Sequence, residues 1–136
     1  GMKVFYYDPY KKTKKYKKVN LKKLIKVSDV ISLHAHVYTE TKNIINKKIL
    51  ELAEKKPVII NTSRGELVNE KDIIWALKNK KISGYGTDVI ETEFININHS
   101  PIIRNISKYN IIVTPHIGGM THQGQLRAYN FAVEKF

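Results

Sequence analysis

Val58-Ile59-Ile60-Asn61-Thr62-Ser63-Arg64-Gly65-Glu66-Leu67-Val68-Asn69 is the stretch that decides the fold. The β-prone run Pro57-Val58-Ile59-Ile60 ends in a tight polar turn. Behind Asn69 the pattern changes to a helical one, with Ile73, Ile74 and Leu77 on one face. A strand that feeds through a short turn into a helix is the repeating unit of a parallel sheet, because parallel neighbours need a crossover and the helix provides it.

The alternation extends in both directions. Upstream, Val4-Phe5-Tyr6-Tyr7 reads as a buried strand ended by Asp8-Pro9, and residues 10–19 as a polar, lysine-rich connection. Leu21, Leu24 and Ile25 then recur at helical spacing behind Asn20, followed by a strand at Val30-Ile31-Ser32-Leu33. Asn46 precedes another helix with Ile49, Leu50 and Ala53 on one face. Downstream, residues 82–89 form a strand interrupted by Gly84 and Gly86, and residues 110–114 one more. Residues 94–110 read as a long surface loop, and residues 121–136 as a closing helix. The sum is an α/β chain with a parallel sheet and helices on both faces, half of a doubly wound fold.

Composition narrows the function classes. The chain has 136 residues and no cysteine, which excludes a disulfide framework, a thiolate nucleophile and a thiolate zinc site; no metal is expected. No apolar run approaches the roughly 20 residues that cross a bilayer, so neither a membrane partner nor a membrane location is expected and the cytoplasm is the default. The net charge of +12 is local: ten lysines fall between Lys3 and Lys26 against the single acid Asp8. That distribution describes a solvated basic surface better than a nucleic-acid footprint, and no nucleic-acid partner is expected.

Against this lysine background Arg64 stands out. Only Arg64, Arg104 and Arg127 are arginine among 24 basic residues. At the carboxyl end of a strand, a planar bidentate fork suits a carboxylate, and a 2-oxo or 2-hydroxy acid would fit it; a structural salt bridge is the plainer reading. Gly86-Thr87-Asp88-Val89-Ile90-Glu91-Thr92-Glu93 places three carboxylates after the next strand, Asp88 at its end and the two glutamates in the exit loop. Val113-Thr114-Pro115-His116-Ile117-Gly118-Gly119 puts a histidine after the last strand, where its unperturbed pKa suits proton transfer, ahead of two glycines that allow close approach of backbone to ligand. Asp8 closes the opening strand, where dinucleotide folds keep a carboxylate for the adenosine ribose.

Taken in order, Gly1-Met2-Lys3-Val4 with Tyr7-Asp8-Pro9, Ser28-Asp29-Val30-Ile31-Ser32-Leu33-His34, Ile60-Asn61-Thr62-Ser63-Arg64-Gly65, Thr87-Asp88-Val89 and Thr114-Pro115-His116-Ile117-Gly118-Gly119 resemble successive signatures of the D-isomer-specific 2-hydroxyacid dehydrogenases. The resemblance implies a partial Rossmann-like sheet and hydride transfer between NAD and a small 2-hydroxy or 2-oxo acid. It implies that Arg64 holds the substrate carboxylate and that His116 handles the proton. The family's paired glutamate follows the strand-end aspartate by five positions, which selects Glu93 over Glu91 and argues against the formate dehydrogenase branch, which carries glutamine there. Cofactor contacts are implied for Asp8, His34, Thr62, Ser63, Asp88, His116, Gly118 and Gly119, with Asp8 disfavouring a 2′-phosphate and Asp88 approaching the nicotinamide carboxamide.

The chain also departs from the pattern. His36 and Tyr38 stand where the family often has proline and threonine, and Phe94 replaces the proline that commonly follows the glutamate. The family's glycine-rich phosphate loop and separate substrate domain have no counterpart, so residues 1–136 are expected to form one incomplete NAD-binding domain, inactive and weakly binding alone. A homo-oligomer is expected, since a sheet lacking its first strand exposes an edge. A rival of another class is an NAD(H)-sensing binding module of the C-terminal-binding corepressor type, which shares the fold and the Arg, Glu, His arrangement.

Overall fold

The computed structural model describes residues 1–93 and 95–135. Phe94, singled out above for its place after the glutamate, lies outside the described residues. Two parallel sheets form. β1 (Phe5–Tyr6) pairs with β2 (Lys17–Lys18). A four-stranded sheet runs in the order β3 (Val30–Leu33), β4 (Val58–Asn61), β5 (Gly84–Thr87), β6 (Ile111–Val113), each strand parallel to its neighbour. Between the strands run α1 (Leu21–Val27), α2 (Lys47–Leu50), α3 (Glu70–Lys78) and α4 (Pro101–Asn105), and α5 (His122–Val133) closes the chain. The architecture is α/β with parallel sheets flanked by helices, as the alternation predicts.

Register explains the core. Ile31, Ile59, Tyr85 and Ile111 stand side by side across the four strands, and all are buried. Because side chains alternate between faces, this row marks one face of the sheet. Onto it pack Ile25 from α1, Leu50 from α2, Ile73, Ala76 and Leu77 from α3, and Ile102 from α4. Each fully buried side chain of this size contributes roughly 1.5–3 kcal/mol of transfer free energy. On the other face Ile112 is 68% exposed, and Val30 at the β3 edge is 58% exposed.

The helices begin where polar caps place them. Asn20, Asn46 and Asn69 each accept a backbone N–H from the residue three positions on, so α1, α2 and α3 start as predicted. Two expectations are corrected. The opening run is not a fully buried strand: Val4 is exposed, Phe5 and Tyr6 are half-buried, and they pair only with the exposed β2, which lies inside the stretch read as a connection. The segment after Glu93 is not all loop either, since it contains a 3₁₀ turn at Ile97–His99 and α4. Ser100 caps α4 through its hydroxyl and Pro101 occupies the first turn, a start signal outweighed in the sequence by the surrounding asparagines.

Candidate active site

Leu33, Asn61, Thr87 and Val113 share one row across the sheet, each the last residue of its strand. The segments that follow them therefore emerge side by side at the carboxyl edge, where open α/β sheets bind ligands. His34, Arg64, Asp88 and His116 all lie in those segments. Arg64 follows β4 and His116 follows β6, with β5 and its Asp88 between them.

The Arg64 turn is shaped by Asn61, which is fully buried at the strand end. Its Oδ1 accepts the Ser63 amide at 3.1 Å, and its Nδ2 donates to the Arg64 carbonyl at 2.9 Å. Ser63 Oγ donates to the Ala35 carbonyl at 2.6 Å and so ties this turn to the one after β3. The Arg64 side chain is exposed, with Nη1 donating to the Ser63 carbonyl at 2.7 Å, and no carboxylate of the described residues forms an ion pair with it. The salt-bridge reading therefore has no partner among those residues. Thr62 and His34 are exposed, and His34 Nε2 lies 2.8 Å from Ser32 Oγ.

Asp88, only 7% exposed, holds the turn that carries His116. Its Oδ1 accepts the Thr114 hydroxyl and, at 3.0 Å, the Ile117 amide; its Oδ2 accepts the Gly118 amide at 2.8 Å. Burial acts to raise its carboxyl, but these three bonds and the nearby His116 outweigh it and hold the group below the ordinary aspartate value. A Cβ on Gly118 would come within 2.9 Å of Oδ2, whereas one on Gly119 would meet open space. Clamped in this way, His116 adopts φ of 54°, the left-handed region that a non-glycine residue rarely occupies.

Glu93 completes the group. Its Oε1 lies 2.8 Å from His116 Nδ1, and its Oε2 accepts the Ile90 amide at 3.1 Å, so both oxygens are engaged. The contact is partly sheltered, with side-chain exposure of 17% for Glu93 and 41% for His116. Glu91 is exposed and turns its amide to Glu70 instead, so the five-residue offset from Asp88 selects the carboxylate that meets the histidine. Asp8 stands two residues past β1, where its Oδ1 accepts the amides of Tyr10 and Lys11, each at 2.8 Å. Those amide bonds, Lys11 first, hold its exposed carboxyl below the ordinary value. Asn61 and Glu70 were not among the residues singled out from sequence; a polar residue ending an apolar strand was the available signal for the first.

The stretch that carries Arg64, Asp88, Glu93 and His116 falls within a match to a known group of proteins. The family model described as D-isomer specific 2-hydroxyacid dehydrogenase, NAD binding domain, matches residues 1–118. The chain belongs to this family. It is 36% identical over 137 residues to a hydroxypyruvate reductase of Blautia hydrogenotrophica, covering 98% of this chain and 41% of that protein. It is 36% identical over 132 residues to a glyoxylate reductase of Thermococcus litoralis, covering 92% of this chain and 38% of the relative. The solved structure of D-2-hydroxyisocaproate dehydrogenase superposes with a TM-score of 0.86 at 28% identity, covering 97% of this chain and 44% of the other. The chain thus spans about two fifths of the length of these family members. No helix among the described residues is long and apolar enough to cross a membrane.

Proposed function

We propose that residues 1–136 serve as part of the coenzyme-binding domain of an NAD-dependent oxidoreductase that interconverts a small 2-oxo acid and the corresponding D-2-hydroxy acid. The observation that carries this reading is the Glu93–His116 contact, set at the same sheet edge as an exposed Arg64. In this reading Arg64 takes the substrate carboxylate with its planar fork and draws charge from the carbonyl oxygen. His116 gives that oxygen its proton in reduction and removes it in oxidation, using the ring nitrogen opposite Nδ1. Glu93 fixes the orientation of the ring through its contact with Nδ1. When bound, the dinucleotide supplies or accepts the hydride at C2 of the acid.

Two features suit such a cofactor, one at the carboxyl edge of the four-stranded sheet and one beyond the separate β1–β2 sheet. Gly119 leaves open space where a side chain would stand, and Asp8 presents an exposed carboxylate beyond β1 that favours ribose hydroxyls and disfavours a 2′-phosphate. His34, Thr62, Ser63 and Gly118 border that carboxyl edge and are assigned as cofactor contacts. Asp88 is assigned a double part, holding the His116 turn and meeting the cofactor near the nicotinamide. The phosphate cradle and the substrate domain come from polypeptide other than these 136 residues, which alone bind the dinucleotide weakly and turn nothing over. Residues 1–136 on their own form a homo-oligomer, a reading supported by the exposed Val30 edge and Ile112 face, and the cytoplasm is the proposed compartment.

The experiment is turnover by the full-length protein: loss of reduced-nicotinamide absorbance on adding glyoxylate or hydroxypyruvate. Absence of turnover with a series of 2-oxo acids, despite tight binding of the dinucleotide, would overturn the reading in favour of a nucleotide-sensing module.

A further inference from the structure

The carboxylate that opens α3 is buried where a helix start would ordinarily leave it in water. Glu70 is only 6% exposed. Its Oε1 accepts the Glu91 amide at 3.2 Å, and its Oε2 accepts the Ser100 hydroxyl at 2.6 Å. Burial raises its carboxyl above the ordinary glutamate value, against the opposing pull of those two donors, so placing an acid here is costly.

What it holds is the Ile90–Glu91 peptide, and two parts of the site meet there and on the peptide just before it. The N–H of that preceding Val89–Ile90 peptide donates to Glu93, the residue that seats His116. From the other side Gly65, next to Arg64, packs against the Ile90–Glu91 link itself: a Cβ there would fall 2.2 Å from the Glu91 nitrogen and 2.3 Å from the Ile90 carbonyl carbon. The Arg64 turn and the Glu93 turn are therefore in backbone contact, and Glu70 fixes the peptide between them.

We propose that Glu70 is a positioning residue for the reaction: by holding the Ile90–Glu91 peptide it sets the spacing between Arg64 and the Glu93–His116 pair. The inference rests on the function proposed above. It assigns Glu70 no contact with substrate or cofactor. Its effect passes through turns that must be placed within a fraction of an ångström, since a displacement of about 1 Å far from the chemistry can cost on the order of 100-fold in rate.

The test compares Glu70→Ala, Glu70→Gln and Ser100→Ala in the full-length enzyme. Glu70→Gln keeps an oxygen for the Glu91 amide, and Ser100→Ala removes the helix cap and one of the two donors to Glu70 while leaving the Glu70–Glu91 bond. Expected are a kcat about 10- to 100-fold lower for Glu70→Ala with cofactor Kd within about twofold, substantial recovery in Glu70→Gln, and a lowered Tm with kcat nearly unchanged in Ser100→Ala. Equal kcat in Glu70→Ala and the unsubstituted enzyme, or parallel losses of kcat and Tm in all three, would overturn the proposal. Should Glu70→Ala fail to fold, Glu70→Asp keeps the acid but draws it back from the Glu91 amide, and an unchanged kcat there would count equally against the proposal. If the unsubstituted enzyme turns over no 2-oxo acid, the proposed function fails on its own. The positioning role is then read from the ¹⁵N signal of the His116 ring, which moves in Glu70→Ala if Glu70 seats the pair and stays put if it does not.

Discussion

Glu93 and His116 meet at 2.8 Å between Oε1 and Nδ1, and the second oxygen of the same carboxylate is occupied by the Ile90 amide at 3.1 Å. A carboxylate anchored at one oxygen presents the other in a fixed direction, so the imidazole is oriented rather than merely attracted. Glu93→Gln keeps the size and one acceptor but removes the charge. A hydrogen bond to a charged group is worth roughly 1.5–3 kcal/mol, so kcat/KM of the full-length enzyme should fall about 10- to 100-fold. A loss below twofold in steady-state kinetics would show that the contact is only structural.

Removal of the proton donor itself should cost more. His116→Gln is expected to lower kcat by about 10²- to 10⁴-fold, the usual contribution of a positioned acid–base group, a far larger loss than its effect on cofactor binding by calorimetry. A variant that kept its kcat would transfer the proton role to another group.

Arg64→Lys tests geometry against charge. The lysine retains the positive charge but loses the planar fork. Two charge-assisted bonds become one, and KM for the 2-oxo acid should rise roughly 10- to 100-fold. If Arg64→Lys leaves KM unchanged and only Arg64→Gln raises it, the site needs a cation and not a guanidinium.

Asp88 gives the turn around His116 a pH dependence with a definite sign. Its folded carboxyl titrates below 3.8, the ordinary aspartate value, so it binds fewer protons folded than unfolded near that pH. The stability it contributes is fully present above 3.8 and is lost as pH falls through the lowered folded value. Asp88→Asn should therefore lower Tm at neutral pH, with the gap from the unsubstituted protein closing as the pH is taken below that range. A gap that stays constant in melts across the acidic range would show that Asp88 is not the titrating clamp.

The chain order of the site was legible without a structure, because its side chains follow strands whose apolar runs and turns are local signals. Arg64, Asp88 and His116 each closely follow such a strand, and the register of β4, β5 and β6 then brings them to one edge; the choice of Glu93 over Glu91 comes only from the family resemblance, through its offset of five from Asp88. Caps were legible for the same reason: Asn20, Asn46 and Asn69 act on amides three residues away. Tertiary structure alone decided the rest. β1 has the composition of a buried strand, but burial depends on its neighbours, and it pairs only with the exposed β2. Glu66, Glu70 and Asp72 look alike in the sequence around the start of α3. Only the docking of the segments at Glu91 and Ser100, 21 and 30 residues further along, buries Glu70 and gives it donors. Burial and partnership at that separation leave no local pattern to read, since the free energy of a charged side chain is set by whichever part of the chain folds against it.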